Sequence, residues 1–282
     1  MFVKVFRIAV LLCACSLPLL AAVPPSHHVV ILVEENHSYS SVIGSASMPY
    51  LNSLAKNYSL LTNYYANTHP SIGNYLEMTT GQIITNNDGY SGTVSADNLV
   101  RELLLSGKTW KSYAEGLPYA GYIGGDTGHY MKHHNPFAYF TDVVDSSVER
   151  QRLVPFTQFS KDLANGALPN FSFIVPNSIH DAHSASLSAA DSWLKSNIAA
   201  LLSNAEFQKD GILIIVFDES YDTDTAHGGG HVAAIVVGPH VLKGYRSTLL
   251  FQHQSTLRTV LDAVGGNPDP GAAISAPAFN VF

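Results

Sequence analysis

Charged residues are scarce in this chain of 282 residues, where Asp, Glu, Lys and Arg together make up 13%. Basic residues are the rarer sign, 15 against 22 acidic ones, and the formal net charge is −7. Because binding to nucleic-acid phosphates requires a basic surface, this charge argues against a nucleic-acid-binding surface. The hydrophobic fraction is 46%, enough for a large core that needs no covalent cross-links.

Cysteine is limited to Cys13 and Cys15, which lie in an N-terminal segment typical of an export signal. Two basic residues precede an apolar stretch over 8–20, which ends in small residues and is short for a membrane span. Removal of a signal peptide over 1–22 would leave residues 23–282 without cysteine. We therefore expect a periplasmic or secreted protein with no membrane span in its mature form, or, as a minor alternative, a lipoprotein anchored at Cys15.

No internal repeat, low-complexity tract or linker divides residues 23–282, so we expect a single domain. Apolar runs rich in β-branched residues predict buried strands over 28–33, 58–65, 109–113, 171–175, 212–217 and 232–237. Helical spacing and capping residues predict helices near 48–56, 71–79, 97–105, 187–202 and 254–264. This alternation predicts an α/β three-layer sandwich, with a mostly parallel central sheet and helices on both faces. Residues 116–155, rich in Gly, Tyr and His, are interpreted as a long functional excursion rather than as regular elements.

Two of the predicted strands run directly into oxygen-bearing side chains. Glu35 and Asn36 follow the first strand, and Asp218 and Glu219 follow the strand over 212–217. In parallel α/β sheets, ligands bind beyond the carboxyl ends of the strands, so these four side chains can meet around one cation. Carboxylate and amide oxygens suit Ca²⁺, Mg²⁺ or Mn²⁺ best, with Zn²⁺ possible. Any one of these acids alone would be interpreted as an ordinary solvated strand end.

Ser71 lies at the predicted start of a helix. A serine there can be an N-cap, but it can also be a nucleophile, because a helix N-terminus stabilises negative charge and donates N–H groups to phosphate. A neighbouring cation would lower the pKa of its hydroxyl. Asn74, one turn later, could donate its amide to a phosphoryl oxygen or be a solvated helix residue.

Histidine is unusually frequent, with 13 in the chain. They include the pair His133-His134 in the excursion over 116–155, His183 after Asp181, and His231 at the end of the Gly-rich segment 222–231. Any single histidine is more often structural, but as a set they could bind an anionic substrate and give a proton to a leaving group. The segment 222–231 could hold a second metal, although such loops are more often solvated.

These motifs resemble those of the phosphoesterase family of bacterial and fungal acid phosphatases and phospholipases C, within the alkaline-phosphatase-like superfamily. The resemblance covers roughly 28–264. Its motifs, in the order of the family, are Glu35-Asn36-His37-Ser38, Thr68-His69-Pro70-Ser71 with Asn74-Tyr75, His134-Asn135-Pro136-Phe137, Pro176-Asn177 with Asp181 and His183, Asp218-Glu219, and His231-Val232. One departure is Gly73, which stands where a proline is usual in the family.

The resemblance implies that Ser71 is phosphorylated during turnover and completes a metal site made by Glu35, Asn36, Asp218 and Glu219. It implies phosphoryl-binding or acid–base roles for Asn74, His133, His134 and His183. Asp181 and His231 are further candidates for substrate binding. The alkaline-phosphatase-like sandwich and a single phosphoesterase catalytic domain over 23–282 are implied as well.

We therefore expect a secreted, metal-dependent phosphatase that hydrolyses small-molecule phosphate monoesters through a phosphoserine intermediate. One divalent cation is expected, and a second metal is uncertain. A phosphodiesterase or phospholipase C is the alternative within the fold, disfavoured because the chain is short and acidic. A catalytically inactive protein that binds phosphate esters is the alternative outside enzymes, and the complete set of metal and nucleophile positions argues against it.

Overall fold

A computed structural model describes residues 22–266 and 269–282, so nearly all of the predicted signal segment lies outside the described residues. The strands are Val29–Glu34 (β1), Ser59–Leu61 (β2), Trp110–Ala114 (β3), Leu153–Pro155 (β4), Phe171–Val175 (β5), Ile212–Phe217 (β6), Ala234–Val237 (β7) and Arg246–Ser247 (β8). The helices are Tyr39–Val42 (α1), Pro49–Asn57 (α2), Ser71–Thr80 (α3), Leu99–Leu105 (α4), Thr141–Val144 (α5), Ser147–Arg150 (α6), Thr157–Ala164 (α7), Leu187–Ser203 (α8), Phe207–Asp210 (α9) and His253–Val264 (α10). Within the described ranges, no helix has both the length and the apolar character needed to cross a membrane.

All eight strands form one sheet in the order β4-β3-β5-β1-β6-β7-β2-β8. β7 is antiparallel to its neighbours β6 and β2, and the other neighbouring pairs are parallel, which confirms the mostly parallel sheet. Because β2 and β6 are both antiparallel to β7, they run in the same direction as each other. The carboxyl ends of β1, β2, β3, β5 and β6 therefore lie along one edge of the sheet.

Helices cover both faces of this sheet. Successive residues of a strand point to opposite faces. On one face, Phe173 of β5 meets Tyr75 of α3, with ring centroids 6.2 Å apart. On the other face, Tyr113 of β3, the partner of Ile174, meets Phe159 of α7 with centroids 5.3 Å apart. This is the predicted three-layer arrangement, and it explains why every residue of β1 and β6 is buried.

The predicted strands over 171–175 and 212–217 coincide with β5 and β6. The interpretation of 116–155 as an excursion without regular elements is wrong, because β4 pairs with β3 in the sheet and α5 and α6 precede it. β4 has only three residues and ends at Pro155, so it is too short to show a strand periodicity. A proline is tolerated there because β4 is an edge strand.

Candidate active site

The pairing of β1 with β6 brings the two acidic strand ends together. The last residues of these strands are partners in parallel register, so Glu35-Asn36 and Asp218-Glu219 leave the sheet side by side. Asn36 N donates to Asp218 Oδ1 at 3.2 Å, and Asn36 has a φ of 53°, a left-handed conformation that asparagine tolerates. The three carboxyl side chains are buried. The convergence predicted from the sequence is therefore present in the fold.

Ser71 is the first residue of α3, which begins at the same edge of the sheet. Its Oγ lies 3.1 Å from Glu35 Oε2 and 3.1 Å from Glu219 Oε1, and can donate to either. The N-cap position of α3 belongs to Pro70, and no side chain caps the helix there. The Ser71 hydroxyl is thus turned toward the acidic cluster and is not used as a cap. Every residue of α3 is buried, so the hydroxyl sits on a rigid element.

The donor atoms around Ser71 fit a hard divalent cation. Asn36 Oδ1 and Asp218 Oδ2 are buried and have no hydrogen-bond partner among the residues that the structure describes. A buried oxygen without a partner is costly, and a cation would supply the missing interaction. Together with Glu35, Glu219 and Ser71, these atoms form an all-oxygen set of the kind that Ca²⁺, Mg²⁺ and Mn²⁺ prefer.

Burial and mutual repulsion raise the pKa values of these carboxyls in the protein without a bound cation. Burial raises the pKa of Glu35 well above its usual range, and the charges of Asp218 and Asp181 add to this. Burial, and then the charge of Glu219, raise the pKa of Asp218, while burial raises the pKa of Glu219 to about 8. A nearby positive charge has the opposite effect. Protons and a cation therefore compete for the same oxygens.

A divalent cation is expected to stabilise the protein more at about pH 8 than at about pH 5. A carboxyl with a raised pKa costs the folded state stability as the pH rises from the unfolded value, roughly 4.3, toward the folded value. For Glu219 the folded value is about 8, so the ion-free protein loses stability across this window. A bound cation offsets the loss by favouring the ionised carboxylates. Melting temperatures with and without Mn²⁺ at the two pH values test this, and an equal or larger shift at the lower pH contradicts it.

His134 and Asp181 extend the buried cluster on the other side of Glu35. His134 Nε2 is 3.4 Å from Glu35 Oε1, and His134 Nδ1 is 3.5 Å from Asp181 Oδ2. The donor atoms of these three residues are close enough to hold a metal ion, and a set of one nitrogen and two oxygens also suits Zn²⁺. Burial and the charge of His183 lower the pKa of His134 to about 3, so this histidine is neutral near neutrality and is a poor proton source. Burial raises the pKa of Asp181 to about 7.

A second group of donor atoms lies at the start of the Gly-rich segment 222–231. His69 Nδ1 is 2.6 Å from Glu219 Oε2 and 4.0 Å from Asp222 Oδ1. These three side chains could hold an ion, but Asp222 is almost fully exposed. A second metal there stays a prediction.

His133 and His183 lie beside His134. The rings of His133 and His134 are 4.3 Å apart, and those of His134 and His183 are 6.2 Å apart. The backbone N–H of His183 donates to Asp181 Oδ1 at 2.8 Å, while its side chain is exposed. The structure thus brings both histidines to the rim of the cluster, where the expected contacts with substrate remain predictions.

Asn74 and His231 have contacts that differ from those expected. Asn74 is buried, and its amide oxygen accepts from the N–H groups of Asn67 and Thr68 while its amide nitrogen donates to the Thr68 carbonyl. It therefore fixes the loop before Ser71, and the expected contact of its remaining amide hydrogen with a phosphoryl oxygen stays a prediction.

His231 is stacked between two tyrosine rings. Its ring centroid lies 4.3 Å from that of Tyr39 and 4.8 Å from that of Tyr65, and its Nε2 lies 3.1 Å from the Thr62 carbonyl oxygen. These contacts hold the His231 ring in place, so its position does not require a bound substrate. The structure does not bring its ring into the cluster around Ser71.

Two residues without a predicted role contact the candidate metal ligands. The hydroxyl of Tyr75, a buried side chain, donates to Glu35 Oε1 at 2.5 Å. His69 lies against Glu219, and its Nε2 is 3.0 Å from the carbonyl oxygen of Asp224. Tyr75 follows Ser71 by four residues, so the helical spacing could have identified it. His69 gives no such signal, because its partner is 150 residues away along the chain.

Tyr75→Phe is expected to weaken cation binding by about 10- to 100-fold, the range found when a hydrogen-bond partner of a metal ligand is lost. The hydroxyl orients Glu35, and without it one carboxylate oxygen loses its donor. Calorimetric titration with Mn²⁺ measures the effect. The control is Tyr113→Phe, which removes another buried tyrosine hydroxyl that donates to a carboxylate, Asp162 Oδ2 at 2.7 Å. Equal affinities in wild type and Tyr75→Phe would rule out the positioning role.

The fold matches those of solved structures. The chain superposes on a protein of the alkaline phosphatase superfamily from Vibrio parahaemolyticus with a TM-score of 0.63 and 15% identity, covering 91% of this chain and 71% of that one. It also superposes on the PsFucS1 sulfatase from Pseudoalteromonas sp. with a TM-score of 0.60 and 12% identity, covering 90% and 70%. At these identities the likeness concerns the fold alone, and it confirms the alkaline-phosphatase-like α/β architecture.

Sequence relatives identify the family within that architecture. Residues 45–265 match the model of the Phosphoesterase family. The chain is 34% identical over 260 residues to the phosphatidylinositol-3-phosphatase of Mycobacterium tuberculosis, covering 91% of this chain and 83% of that protein. It is 34% identical over 231 residues to the phosphate-repressible acid phosphatase of Penicillium chrysogenum, covering 78% and 55%. The chain belongs to the phosphoesterase family, hydrolases of phosphoric esters, as its motifs implied. It spans about half the length of the fungal acid phosphatases that it matches.

Proposed function

We propose that this protein is a metal-dependent phosphatase that hydrolyses phosphate monoesters through a phosphoserine intermediate at Ser71. One observation carries the proposal: the Ser71 hydroxyl lies 3.1 Å from both Glu35 and Glu219, next to buried oxygens that lack partners. The names of the relatives, a phosphatidylinositol-3-phosphatase and several acid phosphatases, support the same class of reaction.

The residues that would hold the cation are Glu35, Asn36, Ser71, Asp218 and Glu219. When bound, the ion supplies positive charge that lowers the pKa of the hydroxyl and attracts phosphoryl oxygens. Ser71 Oγ attacks phosphorus in line with the ester oxygen and gives its proton to Glu35 Oε2 or Glu219 Oε1, whichever of these two acceptors within reach the cation leaves free. The N–H of Ser71 at the start of α3 helps to stabilise an equatorial oxygen, since the N–H groups of Ile72 and Gly73 already donate to Asp88 and to the Pro70 carbonyl. Such a transfer depends mainly on positioning and charge.

The departing alcohol takes up a proton, and water then hydrolyses the phosphoserine. His183 is the candidate donor, because its side chain is exposed at the rim whereas the low pKa of His134 keeps that ring neutral. His133 would bind a phosphoryl oxygen, and Asp181 would orient the backbone of His183. The product is inorganic phosphate and a free alcohol.

We also propose that residues 23–282 act as one catalytic domain that is exported. A single sheet that takes strands from Val29 to Ser247, with α10 packed against α3, supports the single domain. The export proposal depends on the sequence of residues 1–22 alone.

Rates of hydrolysis of a monoester and a diester that release the same chromophore distinguish the proposed phosphomonoesterase from a phosphodiesterase. We expect p-nitrophenyl phosphate to be hydrolysed faster than bis(p-nitrophenyl) phosphate, with no release of phosphocholine from phosphatidylcholine. Faster hydrolysis of the diester or of the lipid would favour the phosphodiesterase or phospholipase C alternative. Binding of a cation without turnover of any ester would favour a catalytically inactive binding protein.

A further inference from the structure

A cleft of about 230 Å³ opens beside the candidate active site. Its wall includes Asp88 and Tyr90, from the loop that follows α3, and Asp126, Lys132 and Tyr139, from the segment between β3 and α5. Two of its lining residues, Asp88 and Lys132, are next to residues of the candidate active site. Asp88 Oδ1 accepts a hydrogen bond of 3.1 Å from the N–H next to Ser71, and Lys132 precedes His133. The cleft is therefore placed to receive the alcohol part of an ester whose phosphoryl group is at Ser71.

Gly73 allows the side chains of Asn86 and Thr68 to pack closely against α3. A Cβ atom at position 73 would overlap Asn86 Oδ1 and the methyl group of Thr68. Because Asn86 precedes Asp88 by two residues, the glycine allows the loop to approach α3 and brings Asp88 to its first turn. The departure from the usual proline at this position thus accompanies the close approach of this loop to α3.

The cleft offers one strong donor and two acceptors. Lys132 Nζ lies 4.5 Å from the centre of the Tyr139 ring, and among the described residues it has no carboxylate partner. Asp126 Oδ1 accepts from the backbone N–H of Lys132 at 2.7 Å, which leaves its second oxygen available. Asp88 likewise uses one oxygen in its bond to α3. The rings of Tyr90 and Tyr139, 5.8 Å apart, supply an apolar wall.

This combination suits one class of alcohol. Carboxylate oxygens accept hydrogen bonds from hydroxyl groups and repel a second anion, and an ammonium group donates to a hydroxyl oxygen. Aromatic rings pack against the C–H faces of a ring. The volume is below that of sites for drug-sized ligands, so a single small ring is favoured over a nucleoside.

We infer that this cleft selects phosphate esters of neutral, hydroxyl-rich alcohols about one ring in size, such as sugar or cyclitol monophosphates, and that Lys132 determines this preference. The inference depends on the proposed phosphatase activity of Ser71. It adds a substrate class and a specificity-determining residue to that activity.

Two esters with the same ring size test the inference. Inositol 1-phosphate and cyclohexyl phosphate both carry a secondary phosphate on a six-membered ring, but only the first has other hydroxyl groups. Wild type is expected to prefer inositol 1-phosphate by at least ~10-fold in kcat/KM, mainly through KM, since hydrogen bonds to charged groups are lost with the other ester. In Lys132→Met the ratio is expected to approach one, and in Lys132→Arg most of it is expected to return.

The matched control is Lys195→Met, which removes an exposed lysine from α8 and is expected to leave the ratio unchanged. If Lys132→Met fails to fold, inhibition of wild type by free inositol but not by cyclohexanol provides the same comparison. The inference would be overturned if wild type hydrolysed both esters equally well, or if the preference for inositol 1-phosphate persisted in Lys132→Met. Neither result would contradict the proposed phosphatase activity. A wild type that hydrolyses neither ester nor p-nitrophenyl phosphate would overturn the proposed function and this inference with it.

Discussion

Ser71→Ala is expected to lower kcat on p-nitrophenyl phosphate by at least ~10³-fold, the scale of losing a catalytic nucleophile. The substitution removes the hydroxyl that lies 3.1 Å from Glu35 and Glu219 and leaves the rest of α3 in place. Steady-state kinetics measures the loss, and the melting temperature checks that the variant is folded. The control is Ser172→Ala, which removes another buried serine hydroxyl, in β5.

Covalent labelling makes the same prediction more specific. Acid quenching during turnover of a ³²P-labelled monoester should leave label on the wild-type peptide that contains Ser71 and none on the Ser71→Ala protein. Near-normal turnover in Ser71→Ala would refute the nucleophile assignment. Full loss of turnover without any labelled wild-type peptide would instead indicate direct attack by water, with Ser71 as a metal ligand only.

Removal of divalent cations is expected to reduce turnover by at least ~10²-fold, the scale of losing one preorganised electrostatic contact to the transition state. Without the ion, the raised pKa values of Glu35, Asp218 and Glu219 favour their protonated forms, so these buried groups accept a proton from Ser71 poorly and no positive charge attracts the phosphate dianion. Activity should return when one suitable ion is added back to dialysed protein. Metal content and melting temperature are measured on the same sample.

The identity of the ion that restores activity indicates which group of side chains binds it. Ca²⁺, Mg²⁺ or Mn²⁺ is expected if the oxygens of Asn36 and Asp218 complete the site. Restoration by Zn²⁺ alone would point to the set that includes His134 and Asp181. Full activity in dialysed protein that contains no metal would contradict metal dependence.

The strand ends were the most predictable part of this site. The continuous apolar runs over 28–33 and 212–217 form strands buried on both faces, and in a parallel sheet their carboxyl ends meet at one edge. Ser71 begins α3 as predicted, because the helix is bounded by Pro70 before it and Gly81 after it, signals that are local in the sequence. That β1 and β6 are direct neighbours is a property of the topology, which no local pattern encodes.

Contacts between distant residues account for most of what the sequence did not predict. His69 meets Glu219, and Asp88 meets the start of α3, through loops whose paths depend on the whole fold. His231 occupies the expected place in the order of motifs, but its ring is stacked between Tyr39 and Tyr65. A motif fixes the position of a residue along the chain, whereas the direction of its side chain depends on packing.

Diffraction from crystals soaked with Mn²⁺, collected to record the anomalous signal, would locate the cation directly. One strong peak is expected within about 2.6 Å of oxygen atoms of Glu35, Asn36, Ser71, Asp218 and Glu219. A peak bound only by His134 and Asp181, or no peak near position 71 in active protein, would contradict the proposed metal site.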